Sequence, residues 1–358
     1  MSTNTMFRLA SITKLITTAA VMQLMEEGRL LVTDPVSKYI PEFEKTTVAV
    51  EPPTGSAPGA QYTVVPARRQ ITLHDLLTKT GGIGYPQGPT RQLYEAEGFG
   101  QAWYFAHMDE PMCTIIERLP KLPFHAHPGE QWFNGYTTDI LGCVIEVVSG
   151  MTLDDFLRTR LFEPLEMSDT YFFVPREKAH RLAAVYGAIP DGGITRSEGF
   201  GREGQGNYVD GPRKAFAGGS GLVSTATDYA RFLQMLLNGG ELDGMRVLSP
   251  KTIEMITNNH VGDLFRDGAM DFGFNVEIVN ERSHDDRLGS VGTYGWAGAY
   301  FTRFWVDPAE DVLAVFLAQL IPYGGSSDLH AKFQALVYQA LVQSEHAPAA
   351  TAFRTGGP

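Results

Sequence analysis

The sequence has few cysteines and no long apolar run. Cys113 and Cys143 are its two cysteines among 358 residues, and both lie in apolar segments. Cysteines in such surroundings are usually small buried apolar residues, so a disulfide framework is not indicated. The apolar stretches are interrupted well before the roughly 20 residues that a membrane-spanning helix needs. We therefore expect no membrane span.

Basic residues are also in short supply. Lysine and arginine total 29 against 41 acidic residues, which gives a formal net charge of −12. The negative field of such a protein repels polyanions, so nucleic acid is not an expected partner. We also expect no secretory signal, because the apolar segment 15–25 directly follows Lys14 and leads to no small-residue cleavage site. A cytoplasmic location is the resulting expectation.

Several familiar catalytic patterns are absent. No serine stands in a Gly-x-Ser-x-Gly motif, the nucleophile turn of the α/β-hydrolases. His125 and His127 form the one close histidine pair, without Glu-x-x-His or cysteine partners, so a loop role is expected rather than a metal site. The glycine run 218–221 is not followed by Lys-Ser/Thr, which excludes a P-loop.

The order of helical and strand patterns predicts an α+β fold with an inserted helical domain. Turn residues at 307–310 predict an antiparallel hairpin between the last two strands. The expected helices are 11–27, 138–149, 225–237 and 329–342, with a capping box at 152–155, and the expected strands are 272–279, 299–306 and 312–320.

This pattern divides the chain into parts. Residues 1–28 and 215–345 are expected to form an α/β part with the antiparallel sheet. Residues 29–214 would be a mostly helical insertion, including long surface loops at 46–70 and 186–214. Residues 346–358 would form a flexible C-terminal tail.

A serine and a lysine at the start of the first helix carry the clearest chemical signal. Ser11 and Lys14 are three residues apart, so one helical turn places both side chains on the same face. A lysine that is partly removed from water loses its proton more easily and can act as a general base toward the serine hydroxyl. The serine amide, at the positive end of a helix, can help to hold an oxyanion.

Two aromatic segments are further candidates for the site. Residues 132–139 are typical of a loop that enters a helix. Residues 294–300 are typical of a strand whose glycines allow close backbone approach, as an acyl group lying along an edge strand would require.

Residues 7–14 resemble the nucleophile motif of the β-lactamase-related serine hydrolases. This group contains class C β-lactamases, D-alanyl-D-alanine carboxypeptidases and family VIII carboxylesterases. Trp296-Ala297-Gly298 stands where β-lactamases carry Lys-Thr-Gly, and the segment 295–308 is most similar to the esterase branch. Other stretches that resemble the family follow in the expected order: 71–82, 139–150 and 217–244.

The resemblance implies a β-lactamase/transpeptidase-like fold: a mixed antiparallel sheet flanked by helices, an inserted mostly helical domain, and the site between them. It implies that Ser11 attacks an ester carbonyl, Lys14 takes the proton, and water releases the acid. The N–H groups of Ser11 and Ala299 would form the oxyanion hole, with Trp296 and Gly298 against the substrate. It implies no metal and no organic cofactor, and a small-molecule ester as partner.

Two departures from the family pattern affect these expectations. The family carries a tyrosine that relays protons with the lysine, and Asn134 occupies that position here. Asparagine does not titrate and cannot act as a general base. Tyr136, two residues on, is either a substitute or a packing aromatic. In addition, only ten residues precede Ser11 where relatives carry about two strands, so an exposed or partner-filled sheet edge is expected.

These observations lead to one main functional hypothesis and several alternatives. The main one is a carboxylesterase with an acyl-Ser11 intermediate, with weak β-lactam hydrolysis or acyl transfer as added activities. A D-stereospecific peptidase or amidase uses the same scaffold. Asn134 also allows a catalytically impaired relative that only binds its ligand. The sequence does not indicate an oligomeric state.

Overall fold

The computed structural model describes residues 1–52, 61–189, 193–284, 288–321 and 328–342, so the expected tail 346–358 lies outside it. The helices are α1 Thr13–Glu26, α2 Leu73–Leu77, α3 Arg91–Tyr94, α4 Met112–Ile116, α5 Thr137–Ser149, α6 Leu153–Leu157, α7 Ala226–Leu237, α8 Pro250–Ile256, α9 Glu281–His284 and α10 Leu329–Gln339. The strands are β1 Phe7–Arg8, β2 Thr47–Val50, β3 Thr63–Pro66, β4 Pro123–Phe124, β5 Tyr186–Ala188, β6 Ile194–Arg196, β7 Val223–Ser224, β8 Glu241–Leu242, β9 Met245–Arg246, β10 Asp271–Phe272, β11 Glu277–Ile278, β12 Tyr294–Gly298, β13 Thr302–Asp307 and β14 Val312–Phe316.

A five-stranded antiparallel sheet, in the order β10-β11-β12-β13-β14, forms the framework of the molecule. The hairpin predicted around residues 307–310 is confirmed, because β13 and β14 pair from Asp307 opposite Val312 to Arg303 opposite Phe316. The Asp307 carboxylate accepts the N–H of Ala309 and so stabilises the turn. Helices α7 and α10 both pack against β14. The α+β class is therefore confirmed.

All three predicted strands have different bounds in the structure, and the expected strand 312–320 ends at Phe316. The expected strand 272–279 is a short hairpin of β10 and β11, because the backbone reverses at Asn275, which has φ +61°. Asparagine tolerates this left-handed conformation better than most residues. The expected strand 299–306 begins only at Thr302, since residues 299–301 form the turn that follows β12 and Phe301 has φ +68°. Periodicity alone did not reveal either turn.

The predicted helices around the core are confirmed. In α1, all residues from Thr13 to Leu24 are buried, so this helix is surrounded by protein on every side. It packs against α5, which ends as predicted at Gly150 in a left-handed conformation with φ +74°. Of the capping box expected at 152–155, the first half is present, because the Thr152 hydroxyl accepts the N–H of Asp155 at 3.1 Å. The Asp155 carboxylate accepts from the Thr152 hydroxyl at 2.9 Å.

The two expected surface loops contain strands. Within 46–70, β2 pairs antiparallel with β3 and parallel with β4, because alternating valines supply a strand with one buried side chain, Val48. Within 186–214, β5 and β6 form a small hairpin. Residues 53–60 and 190–192 of these segments lie outside the described residues. The division of the chain into a sheet part and an inserted helical part stays a prediction.

Cys113 and Cys143 form a disulfide, so the expectation of two separate buried cysteines is wrong. The residues lie 30 positions apart in the chain, in α4 and α5, and their Cα atoms are 5.1 Å apart because these helices pack together. Residue types along the chain do not show which helices will pack. Disulfides persist mainly in oxidising compartments, so this bond does not support the cytoplasmic expectation, which stays a prediction. None of the described helices is long and apolar enough to span a bilayer.

We expect the disulfide to be measurable by alkylation. The denatured protein should take up no iodoacetamide before reduction and two equivalents after it, as read by intact mass. Replacing both Cys113 and Cys143 by alanine should lower the free energy of unfolding by about 3.7 kcal/mol, the chain-entropy value for a loop of 30 residues. Free thiols in the denatured, unreduced protein would contradict the bond.

Candidate active site

Ser11 lies in a tight turn between β1 and α1. Residues 10–12 form one turn of 3₁₀ helix, and Ala10 has φ +49°, a left-handed conformation that is strained for alanine. The turn is fixed from two sides: Thr302 Oγ1 donates to the Leu9 carbonyl at 2.8 Å, and the Leu9 N–H donates to Leu222 at 2.9 Å. The Ser11 side chain is therefore held in one place, with 7% of its surface exposed.

The Lys14 amine is directed at the Ser11 hydroxyl. Lys14 Nζ lies 3.1 Å from Ser11 Oγ and donates to the Gly219 carbonyl oxygen at 2.7 Å. The lysine is fully buried in the first turn of α1. A serine and a lysine at this distance have the separation expected of a nucleophile and its base.

Burial changes the acidity of Lys14. Loss of hydration lowers the pKa of Lys14 from 10.5 to about 8, while the negative charge of Asp139 opposes the decrease. Burial likewise raises the pKa of Asp139 to about 6, opposed by the charge of Lys14 and by the Gly219 N–H. At pH 7 about a tenth of the Lys14 amines are therefore uncharged and able to accept a proton.

Gly219 forms backbone hydrogen bonds with both Asp139 and Lys14. Its carbonyl accepts from Lys14, and its N–H donates to Asp139 Oδ1 at 2.9 Å. A side chain at position 219 would place its Cβ 2.7 Å from Asp139 Oδ2, which is too close. Glycine is thus required for the backbone to reach both groups.

Strand β12 lies beside the nucleophile turn. Gly298 is so close to this turn that a Cβ there would overlap the Leu9 carbonyl oxygen. Ala299 follows Gly298 directly in the chain, and the oxyanion role expected for the Ser11 and Ala299 N–H groups stays a prediction. Trp296 lies two residues back on the same strand face, with 9% of its surface exposed.

Asn134 and Tyr136 do not join the Ser11–Lys14 pair. Asn134 is exposed, and among the described residues none makes a side-chain hydrogen bond with it. Tyr136 is fully buried; its hydroxyl donates to the Phe99 carbonyl at 3.3 Å, and its ring packs edge-on against Tyr85. Burial raises the pKa of Tyr136 far above its ordinary value. In this arrangement Tyr136 is a packing aromatic rather than a base.

Three residues near the pair were not singled out from the sequence. The sequence pattern indicates Asp139 only as part of a helix start and Gly219 only as part of a glycine run. Lys79 belongs to a polar stretch, 78–80, that follows the apolar helix α2. For Asp139 and Lys79, the available signal was a charged residue inside an otherwise apolar segment.

The histidine pair has structural contacts. His127 Nδ1 accepts the N–H of Arg68 at 3.3 Å, and the His125 ring stacks on Tyr94. Within the described ranges, no group of three or more histidine, cysteine or acidic residues is arranged to hold a metal ion.

An antiparallel sheet beside a buried helix that begins with a serine–lysine pair defines the class of protein with the β-lactamase/transpeptidase fold. The comparison with family models is more specific. The beta-lactamase model matches residues 1–339, so this chain belongs to the beta-lactamase family.

Individual relatives agree with this assignment. The chain is 32% identical over 337 residues to Protein Rv1367c of Mycobacterium tuberculosis, covering 90% of this chain and 79% of that protein. It is 27% identical over 354 residues to Esterase EstB of Burkholderia gladioli, covering 94% and 83%. Among solved structures, EstCE1, a hydrolase with promiscuous acyltransferase activity, superposes with a TM-score of 0.75 at 23% identity, covering 94% and 86%. The expected fold is confirmed.

The lowered pKa of Lys14 predicts how Ser11 reactivity depends on pH. Because the uncharged Lys14 amine is the proposed base, modification of Ser11 by a fluorophosphonate should accelerate as pH rises. The midpoint of the rate–pH curve should lie at about pH 8. In Asp139→Asn the midpoint should shift to lower pH, since the charge that raises the Lys14 pKa is removed. A midpoint near 10.5, the ordinary lysine value, would contradict this account.

Proposed function

We propose that this protein is a serine carboxylesterase that hydrolyses small-molecule esters through an acyl-Ser11 intermediate. The observation that carries the proposal is the contact between the buried Lys14 amine and the Ser11 hydroxyl at 3.1 Å. The esterase EstB among its relatives supports the choice of ester as substrate.

The reaction follows from the positions of these groups. Uncharged Lys14 takes the proton of Ser11 Oγ while this oxygen bonds to the ester carbonyl carbon. The N–H groups of Ser11 and Ala299 would stabilise the resulting oxyanion; removing one such donor typically costs about 10²–10³ in rate. The bond to the alcohol oxygen then breaks, and Lys14 returns the proton to the departing alcohol. Water finally releases the acid from Ser11.

The residue at position 296 favours esters over β-lactams. An indole ring stands there, where β-lactamases carry the lysine of Lys-Thr-Gly. An indole offers an apolar face and one N–H donor, and no positive charge for a substrate carboxylate. We therefore expect uncharged esters to be the better substrates, with β-lactam hydrolysis weak or absent.

Acyl transfer is a second candidate activity. EstCE1 combines hydrolysis with acyl transfer, and any acyl-enzyme can pass its acyl group to an alcohol instead of to water. The D-stereospecific peptidase and the ligand-binding relative remain the alternatives, and the contact between Ser11 and Lys14 argues against the binding-only one. A protein that only binds has no need to bury a lysine against a serine hydroxyl and so lower the lysine pKa to about 8.

The first test is acylation of Ser11. After a short incubation with p-nitrophenyl acetate, we expect an intact-mass increase of one acetyl group that maps to the peptide containing Ser11. Ser11→Ala should abolish both the adduct and turnover. As a matched control, Ser37→Ala removes a hydroxyl that donates to the Gln70 side chain, outside the candidate site, and should behave as the native protein. An adduct that persists in Ser11→Ala would end the proposal.

A substrate panel separates the alternatives. The same assay should give faster turnover with simple esters than with D-amino acid amides or a chromogenic cephalosporin. Amide turnover that matches ester turnover would favour the peptidase instead. An added short alcohol that appears in a new ester would establish acyl transfer.

A further inference from the structure

Lys79 is a second buried lysine, and aromatic rings surround its amine. The side chain is fully buried. Its Nζ lies 3.8 Å from the ring centre of Trp296, 5.1 Å from Phe272 and 5.2 Å from Trp132. Aromatic faces attract a cation but provide no proton acceptor comparable to an oxygen.

No described residue forms a hydrogen bond with this amine. Glu277 is the acidic residue whose charge favours the protonated form of Lys79, but two guanidinium groups already occupy it. Arg303 lies 3.0 Å from one Glu277 oxygen and Arg266 lies 3.1 Å from the other. A buried amine without a counter-ion is held most readily in its uncharged form.

The backbone places Lys79 at the segment where the family carries its tyrosine. The Phe133 N–H, next to Asn134, donates to the Lys79 carbonyl at 2.9 Å. Lys79 itself has φ +60°, a strained conformation of the kind that occurs at functional sites.

The aromatic cage around the Lys79 amine, formed by Trp132, Phe272 and Trp296, also connects Lys79 to the turn that carries Ser11. Trp296, the ring closest to its amine, is two residues before Gly298 on one face of β12, about 6.6 Å along the strand. Gly298 in turn contacts the Leu9 carbonyl beside Ser11. Burial, and next to it the charge of Lys14, lower the pKa of Lys79 well below its ordinary value. The two lysines are therefore close enough to affect each other.

We propose that Lys79 is the proton-transfer residue for the water that releases the acyl group from Ser11, the role that Asn134 cannot fill. This inference rests on the proposed esterase function. The proposal accounts for three features together: a fully buried amine without a hydrogen-bond partner among the described residues, the absence of a counter-ion free to pair with it there, and a position between segment 133–134 and Trp296.

The proposed step is balanced in protons and bonds. Lys79 Nζ takes one proton from water as the water oxygen bonds to the acyl carbon. The bond between this carbon and Ser11 Oγ then breaks, and the Lys79 ammonium returns the proton to Oγ. The acid leaves with the remaining hydroxyl group, and both amines end uncharged.

The test separates acylation from release in variants of position 79. With p-nitrophenyl acetate, Lys79→Met should keep the initial burst of about one nitrophenol per protein, while steady turnover falls by about 10²-fold or more. The acetyl adduct on Ser11 should then accumulate. Methionine matches the length of the lysine and suits an aromatic cage, so the fold should persist. Lys79→Arg, which stays charged, should stall in the same way.

Several outcomes would overturn the role of Lys79 while leaving Ser11 as the nucleophile. These are native turnover in Lys79→Met, recovery of turnover in Lys79→Arg, and loss of the burst in a variant with a native melting temperature. A stall in Tyr85→Phe but not in Lys79→Met would assign the step to the buried Tyr85 hydroxyl instead. Lys121→Met, at an exposed position, is the matched control.

A chemical rescue makes the test independent of how well methionine packs. Lys79→Ala opens space in the cage, and added ethylamine should restore turnover of this variant in proportion to its uncharged form. No rescue in a folded, acylated Lys79→Ala protein would also count against the proposal. A native protein that forms no adduct on Ser11 would instead refute the esterase proposal itself.

Discussion

A lysine amine that is removed from water and held against a serine hydroxyl is the interaction on which the site depends. Burial lowers the pKa of Lys14 to about 8, as the proposed base requires, and only the surrounding structure can keep the amine buried. Helix α1 is enclosed on all sides, and Gly219 gives the amine a carbonyl partner. The negative charge of Asp139 limits how far burial lowers the pKa of Lys14. The same low-dielectric surroundings that activate Lys14 also make an unpaired amine such as Lys79 costly to keep charged.

Close backbone packing puts the rest of the machinery in reach of this pair. Positions 219 and 298 have no room for a side chain, since a Cβ would meet Asp139 at the first and Leu9 at the second. A strained Ala10 conformation presents Ser11. Leu9 holds the turn in place, because its N–H donates to the Leu222 carbonyl and its own carbonyl accepts from the Thr302 hydroxyl. The site is thus built where α1, α5 and β12 meet, and its geometry is fixed by backbone as much as by side chains.

Local signals predicted much of this structure. The Ser11–Lys14 spacing, the glycine that ends α5 and the turn at 307–310 each act within a few residues, so the sequence reveals them. Contacts between distant segments could not be read in this way. The disulfide between Cys113 and Cys143 depends on the packing of α4 against α5, and the cage around Lys79 depends on rings from three separate segments.

The most direct test of the central claim is the titration of the Lys14 amine itself. In protein labelled with carbon-13 at the lysine Cε atoms, NMR should show one resonance that titrates with a pKa of about 8 and is lost in Lys14→Met. That resonance should also move to lower pH in Asp139→Asn. If the Lys14 resonance titrates near 10.5 like an exposed lysine, the amine is not the buried base that this account requires.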